Sequence, residues 1–380
     1  SISLLRGNQS EVKAVYDALS SDNKDENSPL GKGVDGAQVA DSAIIAYRLA
    51  RLINCPVVAT GKEDYVSDGT RVFAVPHGHS IMTAVTGTGC LLGAVLAAFF
   101  GIYDSFKDSL STGEFLAYAL AYYGLAGESA VKVSGIKPGS FSVAFIDALY
   151  TLDDEVLVSE NRVQSVVVPD QLQVYFVCGT QDTELNKKRL LEIVEDACRG
   201  GITCFQFREK GDGTLEGQQK LELAQQLQHI CAKYHVLYII NDDVELAVAV
   251  NADGVHVGQD DMCLEDVRNI VGHKVVGISI HSIEELHKTD VLYADCVGVG
   301  PMYTTSSKPD AQEPCGPERT AELQAEGLTL PCVGIGGITI DNAMAVLRAG
   351  ACGVAVISAI AHAEKPYEAA RQFKELASSL

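Results

Sequence analysis

No apolar run in the 380-residue sequence approaches the roughly 20 residues that a membrane-spanning helix needs. The longest, LLGAVLAAFFGIY (91–103), has the length of a buried helix, so no membrane partner is expected. The eleven cysteines include no CxxC pair. Several of them, such as Cys204, Cys296 and Cys332, lie inside apolar strand-like runs and read as reduced core residues, which fits a cytoplasmic protein. Basic residues are also scarce, 29 against 50 acidic, and the formal charge of −21 argues against a nucleic-acid partner. It leaves small anions open, because a local cluster such as Arg208, Lys210 and Lys308 can overcome a distant field. No signal peptide is recognisable, and the start at Ser1 suits initiator removal or truncation equally.

What is present is an ordinary globular mixture, 47 % hydrophobic and 21 % charged, in a chain too long for one typical core. Two domains are expected, 1–155 and 172–380, with a linker at 156–171 inside a composition change at TLDDEVLVSENRVQSVVVPD, which carries charge at its front and a proline near its end. The first half holds long apolar helical runs, SAIIAYRLARLI (42–53) and CLLGAVLAAFFGIY (90–103), and a polar loop, SSDNKDENS (20–28). The second half has a rhythm. Strand-like runs recur at 173–177, 203–207, 237–240, 254–257, 275–280, 296–300, 332–336 and 353–357, with amphipathic stretches between most of them. Eight strands with intervening helices in roughly 200 residues predict a (β/α)8 TIM barrel, with a doubly wound open sheet as the competing arrangement. The interval 240–254 leaves room only for a short helix.

In a barrel the site lies at the carboxyl ends of the strands, where the unusual polar residues fall. Strand two, FQFREK (205–210), places Gln206, Arg208 and Lys210 on alternate positions, which in a closed barrel calls for an anionic guest or buried partners. Asn241 and Asp242 end strand three, Asp261 follows strand four, and Ser279 ends strand five. Thr305, Ser307 and Lys308 follow strand six, and GIGGI (334–338) and VISAI (356–360) end strands seven and eight. Glycines in the strand-seven turn let backbone N–H groups approach a phosphate. Asp242 and Asp261 are hard oxygen ligands suited to Mg²⁺ bound to substrate phosphates. No nucleophile–histidine pair is evident, so electrostatic stabilisation of a departing diphosphate is the favoured chemistry. His256 on strand four could equally be a satisfied core residue, and Asp242 could cap a helix.

Residues 172–360 resemble the thiamine-phosphate synthases through FQFREK, IINDDVELA, ADGVHVGQDD, GISIHS, GVGPMYTTSSKPD, VGIGGI and VAVISAI, in that order. The resemblance implies condensation of hydroxymethylpyrimidine diphosphate with hydroxyethylthiazole phosphate to thiamine phosphate and pyrophosphate. It implies that Gln206, Arg208, Lys210, Asn241 and Lys308 hold the pyrimidine diphosphate and that Ser279 lies beside it. Asp242 and Asp261 would hold Mg²⁺. Thr305, Ser307, Gly337, Ile357 and Ser358 would receive the thiazole phosphate. The family usually has Thr at Ser307, a change that keeps the hydroxyl.

In the first half, AVTGTGCLLGAVLAAF (84–99) sets a glycine-rich turn directly before an apolar helix, an arrangement that points N–H groups at an anion. Cys90 falls in the first helical turn, where a thiolate is favoured; a small residue packing on a sheet is the plain alternative. With LLRGNQSEV, GKGVD and VVATGKEDYVSDG, this stretch resembles hydroxyethylthiazole kinase, a ribokinase-like α/β family. The resemblance implies that Arg6 and Thr60 contact ATP, that Glu11 lies near Mg²⁺, and that Gly87, Gly89 and Cys90 surround the hydroxyl being phosphorylated. It also implies a homo-oligomer. It further implies ATP-dependent phosphorylation of hydroxyethylthiazole fused to the synthase. Because the family's chains extend further toward the N-terminus, the domain is expected to be a partial kinase, and a synthase with an inactive kinase remnant is the alternative. Other phosphate-handling barrel enzymes would retain GIGGI without requiring the Asp242–Asp261 pair. A non-catalytic binder of thiamine precursors is a second class, to be separated by pyrophosphate release.

Overall fold

The computed structural model describes residues 2–20, 36–107, 109–305 and 312–379, residues 36–41 by backbone only. None of its helices is long and apolar enough to cross a membrane. The chain forms two compact units, Ser1–Val166 and Val167–Leu380. GKGVD (31–35), and the loop 20–28 beyond Ser20, lie outside the described residues.

The first unit runs β1 (Leu5–Asn8), α1 (Gln9–Ser20), α2 (Gly36–Ile53), β2 (Val57–Thr60), β3 (Asp64–Ser67) and β4 (Val72–Val75). It continues with α3 (Thr88–Phe100), α4 (Thr112–Ser134), α5 (Pro138–Thr151), α6 (Asp154–Ser159) and β5 (Gln164–Ser165). The five strands lie side by side in chain order, with β1 and β2 parallel and the rest antiparallel. Residues 156–171 therefore include β5, which pairs with β4. Local chemistry sets the boundaries. Asn8 and Glu11 cap α1 reciprocally: the Glu11 N–H donates to Asn8 Oδ1 at 2.9 Å and the Asn8 N–H donates to Glu11 Oε2 at 2.7 Å. Between β3 and β4, Asp68 Oδ1 accepts from the backbone of Thr70 and Arg71. Arg71 reaches Glu114 on α4 at 2.8 Å in a buried ion pair, tying the hairpin to that helix. Phe73, Leu96, Leu116, Phe141 and Phe145 fill the core.

The second unit is a closed parallel barrel of eight strands. They are β6 (Val174–Cys178), β7 (Cys204–Phe207), β8 (Leu237–Asn241), β9 (Gly254–Val257), β10 (Val275–Ile280), β11 (Cys296–Val299), β12 (Cys332–Ile335) and β13 (Gly353–Val356). The helices are α7 (Lys187–Gly200), α8 (Gly217–Lys233), α9 (Val244–Ala249), α10 (Leu264–Val271), α11 (Ile283–Lys288), α12 (Arg319–Ala325), α13 (Ala343–Arg348), α14 (Ser358–Ala361) and α15 (Pro366–Ala377). The tight interval after β8 gives α9 six residues. Alternation along each strand separates two apolar layers. Tyr175, Cys204, Leu237, Val275, Cys296 and Val333 fill the interior. Phe176, Phe205, Phe207, Tyr238 and Val255 face the helices. In FQFREK, Gln206 thus points inward between two outward phenylalanines.

Candidate active site

Among the described residues, the polar side chains singled out in the second half lie on the barrel strands or the loops that follow their carboxyl ends. Gln206 is 5 % exposed and donates from Nε2 to the Tyr175 hydroxyl at 2.9 Å, so the amide that strand two aims inward has a partner there. Beyond β7 the ladder continues, with the Arg208 N–H donating to Cys178 O at 3.1 Å. Gln181 Nε2 donates to Arg208 O at 2.7 Å, and a Cβ on Gly179 would collide with that same carbonyl at 1.9 Å. The loop after β6 therefore fixes the backbone of Arg208. Glu209, on the opposite alternation, accepts from the backbone of Thr180 and Leu215 and from the Thr180 hydroxyl. Asp182 lies near Arg208 and His362; burial holds its carboxyl above the usual range, with the Gly179 N–H and Arg208 opposing.

Asn241 ends β8, and Asp242 follows in a left-handed conformation with φ 59°. The Asp242 N–H donates to His256 O on β9 at 2.9 Å. Lys210 Nζ donates to Asp242 Oδ2 at 2.8 Å, and this contact raises the lysine's pKa. Asp242 is nevertheless pushed up from the ordinary carboxylate value. Burial is the largest cause; Lys210 opposes it and the adjacent Asp261 adds to it. Asp261 itself is turned by the Gly258 N–H, which donates to its Oδ2 at 2.8 Å. Two carboxylates thus lie together, one of them resisting ionisation and already paired with an ammonium. No cluster of three or more acidic, His or Cys ligands occurs among the described residues. A Mg²⁺ held by this pair would need its remaining oxygens from substrate and water.

On β10, Ser279 Oγ lies 3.0 Å from His256 Nε2, and Ser279 O accepts from Gln259 Nε2 at 2.7 Å. After β12, Gly336 and Gly337 have φ of 96° and 63°. Their turn is knit to the segment after β11: Met302 N–H donates to Ile335 O at 2.8 Å and Tyr303 N–H to Gly336 O at 3.0 Å. A Cβ on Gly337 would lie 2.5 Å from Thr304 O, so only glycine lets the two loops close. Thr305 lies on that segment; Ser307 and Lys308 lie outside the described residues. Ile357 and Ser358 open α14 directly after β13.

In the first unit Arg6 is the meeting point. Its Nη2 lies 3.4 Å from Thr60 Oγ1, and a Cβ on Gly89 would lie 3.3 Å from it. Gly87, with φ 99°, caps α3, and Cys90 is exposed in the first turn of that helix. Tyr123 donates its hydroxyl to Thr88 O in the same turn. Glu11 is engaged in the α1 cap described above. Asp64 was not foreseen from the sequence: its carboxyl rises to about 6, chiefly through burial, with the Gly61 N–H and Arg6 opposing. Tyr175, Gln181 and Gln259 were also missed, because each matters through a partner on another strand or loop.

Residues 174–360 match a family model described as thiamine monophosphate synthase, and residues 1–155 match the hydroxyethylthiazole kinase family. The chain is 50 % identical over 209 residues to a thiamine-phosphate synthase of Geobacillus thermodenitrificans (strain NG80-2), covering 55 % of this chain and 93 % of that protein. Among solved structures, thiamine phosphate pyrophosphorylase from Pyrococcus furiosus is similar at 30 % identity and a TM-score of 0.50, over 56 % of this chain and 98 % of that one. A hydroxyethylthiazole kinase from Pyrococcus horikoshii OT3 is similar at 30 % identity and a TM-score of 0.35, over 44 % of this chain and 56 % of that one.

Proposed function

The chain belongs to the thiamine-phosphate synthase family through its barrel, which follows an α/β domain matched in part by the ribokinase-like hydroxyethylthiazole kinases, and from that membership we propose that it forms thiamine phosphate. In this reading it condenses hydroxymethylpyrimidine diphosphate with hydroxyethylthiazole phosphate and releases pyrophosphate. The observation that carries the reading is the juxtaposition of Lys210, Asp242 and Asp261 at one end of the barrel, with Arg208 extending the neighbouring strand.

The chemistry asks the residues for anion stabilisation and positioning. The bond between the pyrimidine methylene carbon and the diphosphate oxygen breaks, and its electron pair leaves with pyrophosphate. The electron-rich aminopyrimidine ring stabilises the resulting cation, and the thiazole nitrogen supplies the pair for the new C–N bond. Arg208, Lys210 and Lys308 bind the leaving diphosphate, and Asn241 and Gln206 orient the pyrimidine. Asp242 and Asp261 would hold Mg²⁺, which when bound neutralises diphosphate charge. Lys210, paired with Asp242 in the free chain, would turn toward the diphosphate when substrate binds. The glycine turn at 336–337, Thr305, Ser307, Ile357 and Ser358 receive the thiazole phosphate.

For the first unit we propose a kinase-derived domain without phosphotransfer, so that thiazole phosphate must be supplied. The cap between Glu11 and Asn8 supports this: the Asn8 N–H engages Oε2 of the carboxylate expected near Mg²⁺, which weighs against a metal there while leaving Oε1 unengaged by the cap. The chain incubated with both phosphorylated substrates and Mg²⁺ should yield one pyrophosphate per thiamine phosphate. Folded protein that binds the precursors and forms neither product would contradict the reading and favour a regulatory binder.

A further inference from the structure

We propose that His256 is a positioning residue that holds the Ser279 hydroxyl in place for the pyrimidine diphosphate; the proposal rests on the synthase reading of the barrel. Val255, Val257, Ile278 and Ile280 pack outward against the helices, so His256 and Ser279 both face the interior. The imidazole occupies space opened by glycines on the next two strands. A Cβ on Gly277 would lie 2.3 Å from His256 Nδ1, and one on Gly298 would lie 3.2 Å from Cε1. The Tyr175 ring stands edge-on to it, with centroids 6.5 Å apart. So confined, the ring brings Nε2 to 3.0 Å from Ser279 Oγ.

A serine hydroxyl at a strand end otherwise rotates among staggered positions. Here a second contact fixes the same residue from behind. Gln259 Nε2 donates to Ser279 O at 2.7 Å, while Gln259 Oε1 accepts from the Thr289 hydroxyl at 3.2 Å. Both holds on Ser279 come from residues 256–259, the segment that also leads to Asp261. A histidine serving only as filler would require the volume of its ring. It would not require Nε2 in particular.

The test separates those roles in the full chain. His256→Gln places an amide near the Nε2 position, whereas His256→Asn reaches only toward Nδ1. With Ser279→Ala lowering kcat, His256→Ala and His256→Asn should each lower kcat by about tenfold to a hundredfold, and His256→Gln should restore most of it. The double variant His256→Ala/Ser279→Ala should be no slower than Ser279→Ala alone, because the histidine acts through the serine. Multiplying losses in the double variant, or Gln and Asn variants equal in kcat at equal melting temperature, would overturn the proposal. Full turnover in His256→Ala would overturn it too. A Ser279→Ala enzyme with unchanged kcat would remove Ser279 from the site and take this proposal with it, yet leave thiamine-phosphate formation standing. Loss of thiamine phosphate from the unsubstituted chain would instead refute the synthase reading.

Discussion

Asp64 and Asp261 are single carboxylates whose surroundings give opposite tests. Asp64 has its folded-state pKa raised from 3.8 to about 6. As pH rises, the unfolded chain releases this proton first, so the folded state binds more protons across that window and loses stability through it. At roughly 1.4 kcal/mol per pH unit the cost reaches about 1–3 kcal/mol above pH 6, allowing for partial solvent access. Asp64→Asn keeps an acceptor for the Gly61 N–H and should raise the melting temperature of the first unit at pH 7.5, with little change at pH 4. An unchanged melting temperature at pH 7.5 would mean that Arg6 already offsets the charge. Asp261→Asn removes one of two hard ligands and should raise the Mg²⁺ concentration for half-maximal synthase rate by more than about tenfold. In the unsubstituted chain that requirement should also rise on acidification, because Asp242 accepts a proton more readily than an ordinary carboxylate. Rates measured against Mg²⁺ at several pH values check both.

At the scale of elements, the turn between β12 and α13 makes the sharpest demand on sequence. Gly337 has φ 63°, and any Cβ there would meet Thr304 O at 2.5 Å. Gly337→Ala should separate the two loops, raise the KM for thiazole phosphate more than that for the pyrimidine diphosphate, and lower stability by about 1–3 kcal/mol. Equal effects on both KM values would detach this turn from the thiazole phosphate. Much at this scale was legible. Alternation in FQFREK gave Gln206 an inward direction because Phe205 and Phe207 pack outward, and the spacing at 240–254 required the six-residue α9. Pairings across loops were not. Lys210 reaches Asp242 32 residues away, and the place of His256 depends on glycines at 277 and 298. Local periodicity carries no record of either.

For the whole molecule, eight apolar runs with amphipathic stretches between most of them were enough to foresee a closed barrel, since each buries one face inward and one against a helix. The first unit was harder to read. Arg6 comes up against Gly89 at the start of α3, and Glu11 joins a helix cap through a contact with Asn8 three residues away; neither contact follows from local pattern. The most direct measurement follows thiamine phosphate and pyrophosphate from the full chain with Mg²⁺ and the pyrimidine diphosphate. Thiazole phosphate is supplied in one reaction and unphosphorylated thiazole plus ATP in another. Stoichiometric products in the first and none in the second are expected. No product in the first would contradict the synthase assignment, and product in the second would show that the first unit transfers phosphate after all.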